Sequence, residues 1–253
     1  MPLSVLIFDV DGTLAETEDC HRQAFNLAFR DAGLGWNWDH ELYLKLLSVT
    51  GGKERIRHFA EHYDGEFLNA MDAGQRIASL HQMKTVHYGD LIGSGEIPLR
   101  PGIKRVLDEA RKNGLRLAIA TTTTRTNVVS LLTATLGKGG PDLFDAISAS
   151  DSAERKKPAP DVYYDVLDKL GCEAGDCLTF EDSQSGLISA RAAGINTVVT
   201  LSAFTSCDDA LDALAVLSDL GEPNHPCTAV QGDMMGRACV DLHLLDIWRK
   251  NCR

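Results

Sequence analysis

Two carboxylates spaced two apart, Asp9 and Asp11, stand in the string Asp9-Val10-Asp11-Gly12-Thr13-Leu14, directly after the apolar run Val5-Leu6-Ile7-Phe8. With a glycine where the chain must turn sharply, such a pair can present Asp9 as a nucleophile and Asp11 beside it as acid and base. A carboxylate that attacks a phosphate dianion meets repulsion, so this chemistry demands a cation close by. Taken alone, the string also has a blander reading, as a strand end with a turn or a calcium-like loop lacking its other ligands.

Three further patches supply what the first one lacks. Thr121-Thr122-Thr123-Thr124 follows the run Leu117 to Ala120; hydroxyls and backbone N–H groups at such a turn can hold phosphate oxygens, although threonines there also serve simply as helix caps. Lys156-Lys157-Pro158-Ala159-Pro160 offers a cation. Lys157, beside Pro158, is the lysine expected to neutralise the nucleophile and the transferring phosphoryl group, the bland alternative being a solvated basic turn. Glu181-Asp182-Ser183-Gln184-Ser185-Gly186 follows a fourth apolar run. Its hard oxygen donors suit Mg²⁺, with Asp9, the backbone carbonyl of Asp11, Asp182 and Glu181 as expected ligands, whereas an acidic helix N-terminus needs no metal at all. Thr121, Thr122 and Ser183 are the hydroxyls expected to touch substrate.

The elements that must position these patches are legible as short apolar runs: Val5 to Phe8, Leu117 to Ala120, Cys177 to Phe180, Ile195 to Val199 and a weaker Ala146 to Ala149. Helical patterns over Pro101 to Asn113, Asn127 to Leu136, Pro160 to Leu170 and Ser185 to Ala193 alternate with them, and Gly114, Gly137, Gly171 and Gly194 are plausible stops. This alternation predicts an α/β fold, a Rossmann-like parallel sheet with ligands outside the carboxyl ends of its strands. Glu16 to Pro98 breaks the pattern with amphipathic helical stretches at His21 to Ala32, Asp39 to Leu47 and Gln75 to Tyr88. The expected organisation is a hydrolase core of residues 1–15 and 99–253 with a helical cap domain, 16–98, inserted between hinges near Ala15 to Thr17 and Gly95 to Arg100. The tail after Asp219 reads as loop followed by a helix from Val240 to Lys250, with a packing role only.

Composition sets the outer limits. A chain of 253 residues with 44% hydrophobic and 24% charged residues can bury a core of its own. Its formal net charge of −11 argues against nucleic acid or an anionic membrane as partner, so an anionic substrate needs a local cation. Seven scattered cysteines without a C-x-x-C pair suggest free thiols in a reducing compartment. No leader or membrane span is evident, and a soluble monomer acting on a small molecule is expected.

At the four patches the sequence resembles the haloacid dehalogenase superfamily, whose motifs match in order at Asp9 to Thr13, Thr121, Lys157-Pro158 and Glu181-Asp182, and the inserted segment looks like a C1 cap. One departure stands out: many members carry a second acid four residues after the first in the last motif, where this chain has Gly186. The adjacent acid pair is similar instead to that of β-phosphoglucomutase and sugar-phosphate phosphatases. More closely, Phe8 to Glu18, Thr50 to Ile56 and Ala120 to Thr123 look like the CbbY proteins. That resemblance implies a Mg²⁺-dependent phosphatase acting on xylulose-1,5-bisphosphate, an inhibitory by-product of Rubisco, in bacterial cytoplasm or plastid stroma.

In the cap, Glu18 and His21 follow the nucleophile loop at a helical spacing of three and can face the site. Lys53 and Arg55, next to Gly51 and Gly52, can grip a second phosphate, if they are not simply a solvated helix face. The implied reaction is attack by Asp9, with Asp11 first protonating the leaving sugar oxygen and later deprotonating water. A sugar phosphomutase would use the same groups and return the phosphate to substrate. A non-catalytic protein on the same fold is disfavoured by the intact set Asp9, Asp11, Lys157 and Asp182.

Overall fold

The computed structural model of the protein describes residues 3–94, 97–204 and 212–251. Val5–Phe8 (β1), Arg116–Ala120 (β2), Ala146–Ser148 (β3), Cys177–Glu181 (β4) and Asn196–Thr200 (β5) are parallel, and they continue into Ala215–Leu217 (β6) and an antiparallel Ala229–Gln231 (β7). The strand order is β3-β2-β1-β4-β5-β6-β7. The chain therefore runs outward from β1 in one direction, returns, and runs outward from β4 in the other. Such a reversal opens a crevice at the carboxyl ends of β1 and β4, where ligands of this architecture bind.

β1 is followed by the helices Glu18–Asp31 (α1), His40–Leu46 (α2), Gly52–Tyr63 (α3), Gly65–Asn69 (α4) and Ala73–Gly93 (α5). They enclose an apolar cluster of their own built on Phe25, Phe29, Trp38, Tyr43, Ile56 and Phe59. Ile103–Lys112 (α6) then leads into β2, after which come Arg125–Leu136 (α7), Asp161–Leu170 (α8), Gln184–Ala192 (α9) and Leu242–Asn251 (α10). Alternate side chains of β1 part to opposite faces of the sheet, as the two-residue period of a strand requires. Leu6 and Phe8 pack with α6, α7 and α10, while Val5 and Ile7 pack with α8 and α9. Gly114, Gly137, Gly171 and Gly194, expected as helix stops, all take positive φ.

The tail differs from expectation. Rather than only packing, it adds β7 to the sheet, alongside β6. β7 has three half-exposed residues and leaves no readable apolar run, whereas β6, just before the tail, ends the short apolar run Ala213 to Leu217, a strand missing from the expected set. The expected tail helix is α10, although Leu244, Leu245 and Trp248 bury it and Leu242 is only partly covered. Cys207, Cys252 and Gly95 lie outside the described residues.

The two places where the chain crosses between sheet and helical segment lie side by side. The Arg100 N–H donates to the Leu14 carbonyl at 2.8 Å. The buried Arg100 guanidinium then donates to the carbonyl oxygens of Gly12, Thr200, Leu201 and Ser218 and pairs with Glu16 at 3.2 Å. One side chain thus ties the nucleophile loop to the ends of β5 and β6. Replacing Arg100 with Ala strands several buried carbonyls, and urea unfolding should show a loss of about 3 kcal/mol. An unchanged midpoint would refute this role.

Candidate active site

The nucleophile loop follows from strand pairing. Phe8 stands opposite both Ile119 and Phe180, and the Asp9 N–H donates to the Phe180 carbonyl at 3.0 Å, so Asp9 emerges next to the ends of β2 and β4. The Val10 carbonyl then accepts from Leu14 at 2.9 Å and turns the chain. Gly12 takes φ +79°, and a Cβ there would lie 2.1 Å from Asp182 Oδ2. Glycine is needed twice over, for the turn and for the approach of Asp182.

Lys157 sits at the centre of the acids. Its ammonium donates to Asp9 Oδ1 at 2.7 Å, the Ala120 carbonyl at 2.8 Å and Glu181 Oε1 at 2.6 Å. An ammonium has three donors, and all three are used. Glu181 is fully buried, and its Oε1 also accepts from the Tyr163 hydroxyl of α8. Burial alone would push Lys157 towards neutrality, but Asp9 and Glu181 outweigh it and hold the ammonium well above the usual lysine range.

Even so, the cluster is short of positive charge. Burial pushes the Asp9 carboxyl up to about 7, with Lys157 pulling it down and Glu181 and Asp11 pushing it further up. Burial, Asp9 and Glu181 likewise raise Asp182 well above the carboxylate range. Asp9, Glu181 and Asp182 bring oxygens within 4.8 Å of one another, and Glu181 Oε2 is buried without a hydrogen-bond partner among the described residues. A compact, buried, all-oxygen set with unbalanced negative charge fits a hard divalent cation such as Mg²⁺.

Asp11 faces the other way. Its Oδ1 accepts from Thr17 Oγ1 at 2.5 Å and lies 2.8 Å from His21 Nε2. The second His21 nitrogen, Nδ1, is 2.5 Å from the Lys84 ammonium of α5, and the ring stacks on Tyr88 with centroids 4.2 Å apart. Burial pushes the Asp11 carboxyl up, but His21, Thr17 and the charge of Lys84 outweigh it and bring it down to about 2. Two carboxylates two residues apart are thereby driven in opposite directions by their surroundings, Asp9 by burial and Asp11 by its hydrogen-bond partners and the nearby ammonium.

Above these groups lie two adjoining cavities of about 450 and 380 Å³ that share Asp11, Glu18, Gly51, Arg55 and Thr122. The first holds Asp9, Thr121, Lys157, Asp182 and Ser183; the second holds His21, Gly52, Lys53, His81, Lys84 and Lys156. The site residues expected from sequence therefore gather around one cleft, in differing roles. Thr121 and Thr122 line it, while Thr124 caps α7. Ser183 caps α9 by accepting from the Gly186 N–H at 3.2 Å. Glu18 accepts from Tyr43 at 2.8 Å. Lys53 is exposed, whereas Arg55 is buried and donates to Tyr43 and to the carbonyls of Leu46 and Val49, so it contributes charge while locking the turn before α3.

The haloacid dehalogenase-like hydrolase family model matches residues 6–200. The chain belongs to this family. It is 52% identical over 224 residues to the plasmid CbbY protein of Cupriavidus necator, covering 88% of each chain. With the CBBY-like protein of Arabidopsis thaliana it shares 36% identity over 87% of this chain and 70% of that one. The solved structure of CbbY from Rhodobacter sphaeroides with phosphate superposes at a TM-score of 0.80, with 41% identity, over 86% of this chain and 94% of that one. A mutant of that protein, solved with xylulose-1,5-bisphosphate, also superposes at 0.80, with 40% identity, over 86% and 94% of the two chains. The protein is thus a CbbY-like phosphatase of the haloacid dehalogenase family.

The departure of this phosphatase at Gly186 has a steric cause. A Cβ there would lie 1.9 Å from Glu181 Oε2, so an acid at that position and Glu181 in its present place exclude one another. Sequence reasoning missed Lys84, His81, Tyr163 and Glu54. The Glu54 carboxylate accepts from Lys156 Nζ at 2.6 Å across the cleft. Glycines offered one available signal, because Gly52 lets His81 approach to 2.6 Å of its absent Cβ.

Burial brings the Lys84 ammonium down to about 8 from its ordinary 10.5, against the pull of Asp11 and Glu18. Between those two pH values the unfolded chain binds more protons than the folded one, so stability rises with pH through this window and the penalty is complete below 8. Lys84→Met should accordingly be more stable than the parent at pH 7, by about 1–3 kcal/mol, with the gap closing as pH climbs towards 10. Denaturant curves at pH 7 and 9.5 provide the check; a less stable variant at pH 7 contradicts the assignment.

Proposed function

We propose that this phosphatase releases inorganic phosphate from a sugar bisphosphate with the help of Mg²⁺, and that the substrate is xylulose-1,5-bisphosphate, leaving xylulose 5-phosphate. The observation that carries the reading is the double cleft. One end holds a carboxylate nucleophile beside a fully engaged ammonium, and the other gathers Lys53, Lys84, Lys156 and the Arg55 charge. A substrate with a phosphate at each end matches that division. The relative solved with xylulose-1,5-bisphosphate supports the choice of sugar.

In this mechanism Asp9 attacks phosphorus in line while Lys157 offsets the charge of nucleophile and phosphoryl oxygens. Thr121 and Thr122 orient those oxygens. Asp11 gives a proton to the departing sugar oxygen and later takes one from the water that cleaves the aspartyl phosphate, the same group serving both half-reactions. His21 and Lys84 hold Asp11 in place and stabilise its charge between those steps. Asp9, Asp182, the Asp11 carbonyl and, less directly, Glu181 would hold Mg²⁺, which when bound supplies further neutralisation of phosphoryl charge. Residues 16–98 act as a cap whose closure excludes bulk water. Removal of a Rubisco inhibitor would be the physiological purpose, in a bacterial cytoplasm or plastid stroma. No helix among the described residues is long and apolar enough to cross a membrane.

The direct test is phosphate release over a panel of sugar mono- and bisphosphates, with and without Mg²⁺. Stoichiometric phosphate and xylulose 5-phosphate from the bisphosphate are expected, with activity lost on chelation and restored by Mg²⁺. Isomerisation that conserves organic phosphate would mean a mutase and overturn the proposal. Asp9→Asn should abolish turnover while still binding substrate, and full activity in that variant would sink the covalent mechanism. Lys53→Ala should raise KM for the bisphosphate roughly tenfold, the equivalent of about 1.4 kcal/mol, and leave monophosphate KM nearly unchanged. Equal effects on both would remove Lys53 from the second-phosphate lobe.

A further inference from the structure

Outside the cleft, α3 carries His58, Glu61 and His62 in one patch, at the i, i+3, i+4 spacing that places side chains on a single helical face. None of the three lines either cavity of the cleft. One ligand atom from each lies within 4.8 Å of the others. The two imidazole rings are 4.2 Å apart, and His62 Nδ1 is 2.8 Å from the His58 carbonyl oxygen. A proton on Nδ1 donated to that carbonyl fixes the tautomer and leaves the lone pair of Nε2 free for a metal, the arrangement that ligating histidines commonly have. We propose that His58, Glu61 and His62 form a second metal site, for a borderline divalent cation and specifically Zn²⁺.

Donor chemistry separates this site from the catalytic one. Two imidazole nitrogens and one carboxylate suit Zn²⁺, with water completing the tetrahedron, whereas the buried set of Asp9, Glu181 and Asp182 offers only hard oxygens. Ligand atoms around zinc lie about 3.3 Å apart, and His58, Glu61 and His62, all at least partly exposed, can rotate to that spacing. The long-range field favours a cation, since the chain carries a formal charge of −11. His62 occupies the last turn of α3, where the helix presents its partial negative charge. A rise of 1.5 Å per residue puts the patch about 9–15 Å along the axis from Gly52, so the metal grips the far half of the helix that delivers Lys53 to the cleft without meeting the substrate.

Calorimetric titration with Zn²⁺, in saturating Mg²⁺ so that the oxygen site is filled, should register one equivalent per chain. His62→Ala and, separately, His58→Gln should weaken that binding tenfold or more. Glu61→Gln should weaken it less. Circular dichroism shows whether each variant keeps its fold, and because the variants lie outside the cleft their Mg²⁺-supported phosphatase activity should be unchanged. Electron paramagnetic resonance of the Cu²⁺-loaded parent should carry nitrogen couplings from two imidazoles, reduced in either histidine variant. No Zn²⁺ uptake, unaltered affinity in both folded histidine variants, or a Cu²⁺ spectrum free of nitrogen coupling would overturn the site. Phosphatase activity with Mg²⁺ alone is measured separately, so failure of the zinc site leaves the proposed reaction standing, and the reverse.

Discussion

Like charge crowded out of water is the constraint on which the rest of this structure depends. Asp9, Glu181 and Asp182 meet in a space that, among the described residues, the Lys157 ammonium serves, and Lys157 has no donor left to offer. Two unit charges 4 Å apart interact by about 4 kcal/mol at the effective dielectric of a protein. Three such acids cannot gather by chance in a stable fold. They are held by backbone already committed elsewhere, in the parallel pairing of β1 with β2 and β4. Because these strands are buried on both faces, their carboxyl ends are the natural outlet for charge, and the reversal of strand order leaves room there for an anionic ligand.

The same constraint explains the two glycines that touch the acids. At Gly12 a side chain would occupy the place of Asp182, and at Gly186 it would occupy that of Glu181. Each gives up side-chain packing so that a carboxylate can approach backbone. Gly186 is therefore no gap in an acidic motif. With Glu181 reaching across from β4 to Lys157 and Tyr163, the space that an acid on the first turn of α9 would need is already taken.

What was legible in the sequence is what strand ends must display. Asp9, Thr121 and Asp182 each closely follow an apolar run, so local pattern and required chemistry coincide, while Lys157 is legible from its pairing with Pro158. The unreadable part is non-local. Lys84 sits in a helix where a lysine ordinarily faces water, and only the meeting of α5 with α1, 63 residues away at His21, makes it a buried partner. Arg100 stands in what reads as a hinge, and its acceptors lie up to 118 residues distant. β6 and β7 are too short to carry a period of two, and are specified by the edges they cover, β6 on β5 and β7 on β6. Arg55, expected to grip a phosphate with a solvated face as the alternative, is instead buried and donates to Tyr43 and to the carbonyls of Leu46 and Val49, partners its local sequence does not announce.

Lys84 also indicates what the helical segment contributes beyond covering the cleft. A buried ammonium whose proton is loosened to about 8 is a cost to folding, one that an apolar side chain of similar length would avoid. The return is electrostatic: through His21, the ammonium stabilises the Asp11 carboxylate, which is otherwise raised by burial. Asp11 is anchored on the sheet, whereas both of its supporting groups ride on helices of the inserted segment. On the proposed mechanism the acid–base group is complete only when these helices are seated, so proton transfer and exclusion of water become one event. Helices that merely shielded the phosphate would not need a buried lysine directed at His21 and, through it, at Asp11.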